Sequence, residues 1–189
     1  MDRRDRNIGT PVRKSLLAFG ILALSGCSMF GGGQPANPAT AALACPKIGI
    51  VRELQEMTQF RAGGKDMTDV TSRAAITDYS GNCEYGSDGV TINLNLFVLA
   101  ERGPAMQSDQ ATYRYFVAVA RPDEENPASK AEFETSVTFP KGQTRVVTKE
   151  ELAPKIPLPK DANAKNWRVL VGFQLTEEQL NFNLAQIKR

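Results

Sequence analysis

The chain has 189 residues, of which 41% are hydrophobic and 23% charged, and its formal net charge is +2. It contains no histidine, which excludes Ser-His-Asp and Cys-His catalysis and histidine-ligated zinc within this chain. A net charge this close to zero gives no electrostatic basis for binding nucleic acid.

The N-terminal segment, residues 1–26, has the pattern of a secretory signal. Five basic residues stand near its start, and an apolar run over residues 16–24 follows them. This run is too short to span a bilayer as a permanent helix. Because the segment carries five basic and two acidic residues, the rest of the chain has a net charge of about −1.

The tetrapeptide Leu24-Ser25-Gly26-Cys27 ends this segment and resembles the lipobox of bacterial lipoproteins. The resemblance implies cleavage before Cys27, diacylglycerol on its thiol and an acyl chain such as palmitate on its new amine. Two or three such chains hold a protein in the bilayer almost permanently. Ser28, in place of an aspartate that signals inner-membrane retention, implies the periplasmic face of the outer membrane. The alternatives are an ordinary signal peptide with an incidental cysteine, or an uncleaved anchor.

Residues 27–44 are rich in glycine, proline and alanine and predict a flexible tether. Its typical span is roughly 20–25 Å, so the folded body would stay close to the membrane. Residues 45–189 then predict one domain, since about 145 residues form one core better than two.

Alternation of apolar and polar residues dominates this domain and predicts an all-β fold. Trp167 and Phe133 are expected to face the core with the other apolar residues of their strands. The best interpretation is a single antiparallel immunoglobulin-like β-sandwich, although the Cys–Trp–Cys order of antibody domains is absent. The predicted strands lie within residues 74–79, 90–98, 113–120, 133–139, 144–148 and 167–175.

Turn-forming residues divide these strands. Residues 80–82 and 86–89 predict turns, and residues 139–144, centred on Lys141-Gly142-Gln143, predict a hairpin. Three prolines in residues 153–160 favour an extended crossover over a strand interior.

One helix is predicted over residues 176–188. Thr176 and Gln179 form a capping-box pattern, and an apolar stripe follows at helical spacing, made of Leu180, Leu184 and Ile187. Phe182 lies outside that stripe. The helix either packs on the end of the sandwich or is offered to a partner with Phe182 as an exposed anchor.

Cys45 and Cys83 are the cysteines that follow the lipobox. In an oxidising periplasm they are expected to form a disulfide. The alternative, a reactive thiol, lacks both a Cys-x-x-Cys spacing and an activating histidine.

Two acidic clusters are the candidates for chemistry: Asp78, Glu84 and Asp88, and residues 123–126. Paired carboxylates could cleave sugars as acid and base or bind calcium. Solvated acidic loops explain the same pattern, and neither cluster has an EF-hand spacing. The sequence therefore predicts no catalytic residue, no metal and no cofactor.

Arg102 stands at the end of a predicted strand, before Gly103-Pro104. It is either solvated or, beside Tyr113 and Tyr115, a contact for a partner. Residues 100–105 and 172–176 resemble uncharacterised lipoproteins of alphaproteobacteria, a resemblance that implies no activity.

Two functions follow from the sequence. The first is a non-enzymatic, membrane-anchored module that binds or supports an envelope protein, with Cys27 in the bilayer and Arg102 or Phe182 at the partner. The alternative is a histidine-free hydrolase of cell-wall or exported polysaccharide that uses the acidic clusters.

Overall fold

The computed structural model of the protein describes residues 43–160 and 162–188. The predicted signal, Cys27 and the tether up to residue 42 lie outside the described residues. The described strands are β1 (Lys47–Ile50), β2 (Glu56–Phe60), β3 (Val70–Gly86), β4 (Gly89–Arg102), β5 (Gln110–Ala120), β6 (Ser129–Thr138), β7 (Arg145–Leu152), β8 (Lys155–Pro157) and β9 (Arg168–Phe173). One α-helix, α1 (Glu177–Ile187), follows them.

The strands form two sheets, so the predicted all-β sandwich with a C-terminal helix is confirmed. The first sheet has the order β1-β9-β5-β6 and the second the order β2-β3-β4-β7, with β8 also paired to β4. Pairing is antiparallel except between β1 and β9, which run parallel. The finer immunoglobulin-like topology stays a prediction.

The core lies between the sheets and is built from alternate residues of the long strands, because successive side chains of a strand point to opposite faces. Strand β5 lies between β9 and β6 and is buried on both faces over residues 115–120, whereas Gln110, Thr112 and Arg114 are exposed. The inward residues of β4 and β9 are at most 2% exposed: Val90, Ile92, Leu94, Leu96, Val98, Val169, Val171 and Phe173.

The turn predicted at residues 80–82 is wrong, because this segment lies inside β3. Gly81 pairs with Leu94 of β4. A Cβ atom at Gly81 would stand 2.2 Å from the carbonyl oxygen of Asn93, so the glycine permits a close strand approach and does not form a turn. The predicted turn at residues 86–89 is confirmed, since it joins β3 to β4 in one long hairpin.

The hairpin predicted at residues 139–144 is also wrong. Strands β6 and β7 belong to different sheets, so their connection arches over the end of the sandwich. The local conformation is still that of a turn, with Gly142 at φ 82°. The extended crossover predicted at residues 153–160 is wrong for part of that segment. Lys155–Pro157 form β8, which pairs with β4 next to the stretch that β7 covers, so the chain stays in the second sheet and Ile156 is fully buried.

Two aromatic side chains are less buried than predicted. Phe133 is 37% exposed, because β6 is an edge strand and the sandwich is open beside it. Its ring stacks on that of Tyr115 with centroids 5.4 Å apart. Trp167 is half-buried just before β9, and the guanidinium of Arg121 lies 5.9 Å from its ring centroid. Both residues therefore close the margins of the core and do not fill its centre.

The predicted disulfide between Cys45 and Cys83 is confirmed. Cys45 precedes β1 in the first sheet, whereas Cys83 lies in β3 of the second sheet. The bond therefore ties the two sheets together near the turn of the β3–β4 hairpin.

Candidate functional site

A groove of about 770 Å³ lies between helix α1, strands β2 and β3 and the loop of residues 61–69. We call it the helix groove. Its side chains combine cations, carboxylates, amides and apolar groups. The lining residues are Arg52, Gln55, Glu56, Thr58, Lys65, Asp66, Met67, Arg73, Phe182, Asn183, Gln186 and Ile187.

Helix α1 forms one wall, and amide side chains hold it on β2. The capping box of Thr176 and Gln179 starts the helix as predicted. The Nδ2 atom of Asn183 donates to the backbone oxygens of Glu53 at 3.0 Å and Glu56 at 2.7 Å. Gln179 donates to the carbonyl of Thr58 at 3.2 Å. The outer edge of β2 is thus already hydrogen-bonded by the helix.

Phe182, the predicted exposed anchor, is half-buried in this wall. Its ring meets that of Phe60 edge-on, with centroids 5.4 Å apart. It contributes to the docking of α1 and also lines the helix groove. The helix therefore packs on the sandwich, which is the first of the two interpretations drawn from the sequence.

The loop of residues 61–69 forms the opposite wall, and Asp69 organises it. The backbone N–H groups of Lys65 and Asp66 donate to Asp69 at 3.1 and 3.2 Å, and Arg61 forms an ion pair with it at 2.5 Å. The hydrogen bond from Asp66 lowers the pKa of Asp69 most, against the opposing effect of burial, and Lys65 and Arg61 lower it further. A Cβ atom at Gly64 would stand 2.5 Å from the Cβ of Asp69, so the loop is closely packed.

Arg73 lies on β3 where the two walls meet. Its Nη2 atom donates to the sulfur of Met67 at 3.1 Å, and its buried Nε atom has no acceptor. Glu101 stands opposite it on β4 but pairs with Arg145 on β7 at 2.5 Å. Within residues 43–160 and 162–188, the guanidinium of Arg73 forms no ion pair. A sulfur atom is a weak acceptor, so this cation is poorly satisfied.

The rest of the lining gives the helix groove a positive excess and apolar margins. Arg52 and Lys65 join Arg73 as cations, against the carboxylates of Glu56 and Asp66. Met67 is 53% exposed and Ile187 36% exposed, so two large apolar side chains stand at the rim.

Arg102 is not arranged as the sequence suggested. It forms an ion pair with Asp109 and lies 5.5 Å from the ring centroid of Phe139. Tyr113 and Tyr115 are at most 1% exposed, so the expected surface of one arginine and two tyrosines does not form. Arg102 instead lines a depression of about 300 Å³ that also includes Met67 and Arg73.

The first acidic cluster does not converge. Asp78 and Glu84 are six positions apart along β3, which corresponds to about 20 Å. Asp88 lies in the hairpin turn and accepts a hydrogen bond from Lys155 at 2.7 Å, which lowers the pKa of Asp88. Asp78 and Glu84 therefore do not form the facing pair of carboxylates that sugar cleavage needs. Glu84 and Asp88 each accept from a different side chain, Asn93 at 3.0 Å and Lys155 at 2.7 Å.

The second acidic cluster is an exposed loop. Asp123 takes a φ of 60°, and Glu124 pairs with Arg121 at 3.3 Å. Among the residues that the structure describes, no three cysteine, aspartate or glutamate side chains come together as a metal site would require.

Glu150 is a half-buried polar residue that was not among the candidates drawn from the sequence. It occupies the inward phase of β7 and accepts hydrogen bonds from Thr135 at 2.6 Å and Tyr115 at 3.3 Å. Burial raises the pKa of Tyr115, and the charge of Glu150 raises it further. The alternating pattern of β7 could have identified it, because Glu150 lies two positions after Thr148 and two before Leu152 and so shares their inward face. Glu150 therefore links the edge strand β7 of the second sheet to β5 and β6 of the first sheet, which is a structural role.

Comparison with known proteins found no matching family model, no matching curated protein and no matching solved structure. In the described part of the chain, no helix combines the length and the apolar character needed to cross a membrane. The helix groove is the candidate site because it gathers, in one concave surface, exposed apolar side chains, further cations and an arginine that no described residue pairs with.

Proposed function

We propose that this protein is a lipid-anchored lipoprotein of the outer membrane, on its periplasmic face, and that its β-sandwich binds another envelope protein without catalysis. One observation carries the binding role: the helix groove collects cationic and apolar side chains around Arg73, whose guanidinium finds, among the residues that the structure describes, only a sulfur atom as its partner. Mixed apolar and cationic surfaces of this kind are typical of protein contacts, where arginine is enriched.

The proposed anchor rests on the lipobox sequence. Acylation of Cys27 would hold the domain at the membrane. The Gly/Pro/Ala-rich residues 28–44 would then let it reach a partner that lies within roughly 20–25 Å of the membrane surface. Cys27→Ser should move the protein from the membrane fraction to the soluble fraction, or leave the precursor uncut. Palmitate labelling that persists in this variant would contradict the proposed anchor.

A photocrosslinking experiment tests the binding role. A photoreactive amino acid is introduced at Gln186, which lines the helix groove, and in a matched control at Glu134, an exposed position of β6 in the other sheet. We expect the first variant to crosslink one envelope protein in intact cells and the second to crosslink none. Equal crosslinking from both positions, or from neither, would contradict a partner in this groove.

A carboxylate-dependent hydrolase is the second candidate, because Glu56 and Asp66 both line the helix groove beside Phe182. Hydrolysis of dye-labelled cell-wall polysaccharide by the purified protein, abolished by Glu56→Gln or Asp66→Asn, would favour it. Glu84→Gln is the matched control, since Glu84 lies outside the groove. No hydrolysis by the wild-type protein would leave the binding role as the function of the groove.

A further inference from the structure

We infer that Arg73 binds a side-chain carboxylate of an acidic peptide segment that lies extended along the helix groove. This inference rests on the proposed binding function and specifies the chemistry of the partner. Its origin is the state of the Arg73 guanidinium, which has five N–H donors but, among the described residues, only the sulfur of Met67 as an acceptor.

The charges across the sheet explain why the acceptor must come from outside. Thr58, Arg73, Glu101 and Arg145 stand side by side on four neighbouring strands. The carboxylate in this row, Glu101, is held by Arg145 at 2.5 Å. Arg73 is therefore the surplus cation, and an arginine fork matches a carboxylate in both geometry and charge.

The surroundings favour an anion that belongs to a longer ligand. Arg52 and Lys65 add positive charge along the same groove. With Arg73 they make three cationic side chains, against the two carboxylates of Glu56 and Asp66. The second depression adds little net charge, because its Arg102 and Arg145 are already paired with carboxylates. The attraction for an anion is thus centred on Arg73.

The shape favours an extended peptide. The helix groove and the Arg102 depression share Met67 and Arg73, so a rotation of the exposed Met67 side chain would connect them into one track past the guanidinium. Phe182 and Ile187 give apolar contacts to one side of that track. Addition of a strand to β2 is disfavoured, since the helix already occupies carbonyl groups of Glu56 and Thr58. The peptide would be bound through side chains.

The test uses phage-displayed random decapeptides selected on the full-length protein in detergent micelles. We expect enrichment of peptides that contain aspartate or glutamate next to an apolar residue. Individual peptides are then titrated by fluorescence anisotropy. For Arg73→Gln we expect Kd to rise at least about tenfold, which is the loss of one charged hydrogen-bonded contact, and for Lys65→Gln about two- to fourfold.

Matched controls separate a direct contact from damage to the fold. Arg114→Gln removes an arginine from the outer face of the other sheet, where it pairs with Glu132 at 2.9 Å, and should leave Kd unchanged. The melting temperature of each variant is measured beside its affinity. Lys65 is exposed on its loop, so its variant keeps the test valid if Arg73→Gln does not fold.

Three results of the peptide experiment would overturn the inference. They are peptides enriched without carboxylates, affinity that Arg73→Gln and Lys65→Gln leave unchanged, and no enriched peptide at all. Arg73-dependent binding to phosphatidylglycerol vesicles without peptide binding would also overturn it and point to a lipid headgroup. In each case crosslinking from Gln186 still decides the proposed binding function, so the two failures are distinguishable.

Discussion

The two halves of strand β3 are held in different ways. Residues 72–75 pair with β2 on one side and β4 on the other. Among the described strands, only β4 pairs with residues 77–86. The first half forms part of the helix groove, whereas the second half carries Cys83, which is bonded to Cys45.

In the second half, isolated contacts to the N-terminal segment replace a neighbouring strand. Tyr79 donates to the carbonyl of Ile48 at 2.9 Å, and Tyr85 donates to that of Ala44 at 2.7 Å. These bonds and the disulfide hold this half of β3 against the N-terminal segment, while the backbone groups along its outer edge are not paired by another described strand. The first half has a neighbouring strand on both sides, and its Arg73 forms no ion pair within the described residues. The disulfide and the groove proposed to bind a partner thus lie at opposite ends of one hairpin.

The largest expected effect comes from removing the disulfide. The bond closes a loop with a sequence separation of 38, so Cys83→Ser should lower the free energy of unfolding by about 4 kcal/mol in the chain-entropy model. Urea unfolding followed by tryptophan fluorescence measures the loss. Cys45→Ser and the double variant should lose the same amount. A wild-type protein whose unfolding is insensitive to reductant would contradict the role of the bond at this end.

At the opposite end, Asn183→Ala should weaken the docking of α1. Asn183 is 8% exposed and donates to two backbone oxygens, so the variant should lose about 2 kcal/mol and leave the carbonyls of Glu53 and Glu56 unpaired. Hydrogen exchange should rise in α1 and stay low in β4. Asn181→Ala, an exposed position of the same helix, should change neither. Equal effects of the two substitutions would show that the amide does not hold the helix.

Tyr85→Phe should have a smaller effect at the disulfide end. The hydroxyl donates to the carbonyl of Ala44 and accepts from the N–H of Ala164 at 2.8 Å, so its loss should cost about 1–2 kcal/mol. Tyr79→Phe removes a single hydrogen bond from a more exposed side chain and should cost about half as much. Urea midpoints of the two variants measure the difference, and the reverse order would contradict this account of the N-terminal segment.

The smallest effect concerns pH and the loop wall of the helix groove. Because the pKa of Asp69 is lowered from its ordinary 3.8 in the folded protein, its carboxylate stabilises the loop above that pH. The stabilisation is lost as pH falls through the folded-state pKa. Asp69→Asn should therefore speed amide exchange at Lys65 and Asp66 at pH 7, and its difference from wild type should shrink progressively below about pH 4.

Arg61→Gln is the control for this pH effect. It removes the ion pair with Asp69 but keeps the backbone hydrogen bonds, which include the largest cause of the lowered pKa. Its effect on exchange should therefore be weaker than that of Asp69→Asn. A difference between wild type and Asp69→Asn that grows as pH falls would contradict the stated direction of the shift.

Local patterns of the sequence determined much of the fold. Alternation located the strands around β4 and β9, the capping box located the start of α1, and the expectation of an oxidising periplasm paired Cys45 with Cys83. The strands and the helix start depend on neighbouring residues in the chain, and the cysteine pairing follows because only two cysteines come after the lipobox. The lipobox assignment of Cys27 likewise rests on the sequence alone.

Only the tertiary structure decided how the elements meet. Gly81 is typical of a turn by composition, yet it lies inside β3 because β4 approaches it closely. Residues 139–144 turn the chain, but whether they join paired strands or cross between sheets depends on packing at a distance. The helix groove has the same origin, since Lys65, Arg73 and Gln186 come from separate elements. Periodicity determines which face a side chain occupies, and long-range packing determines which side chains share a site.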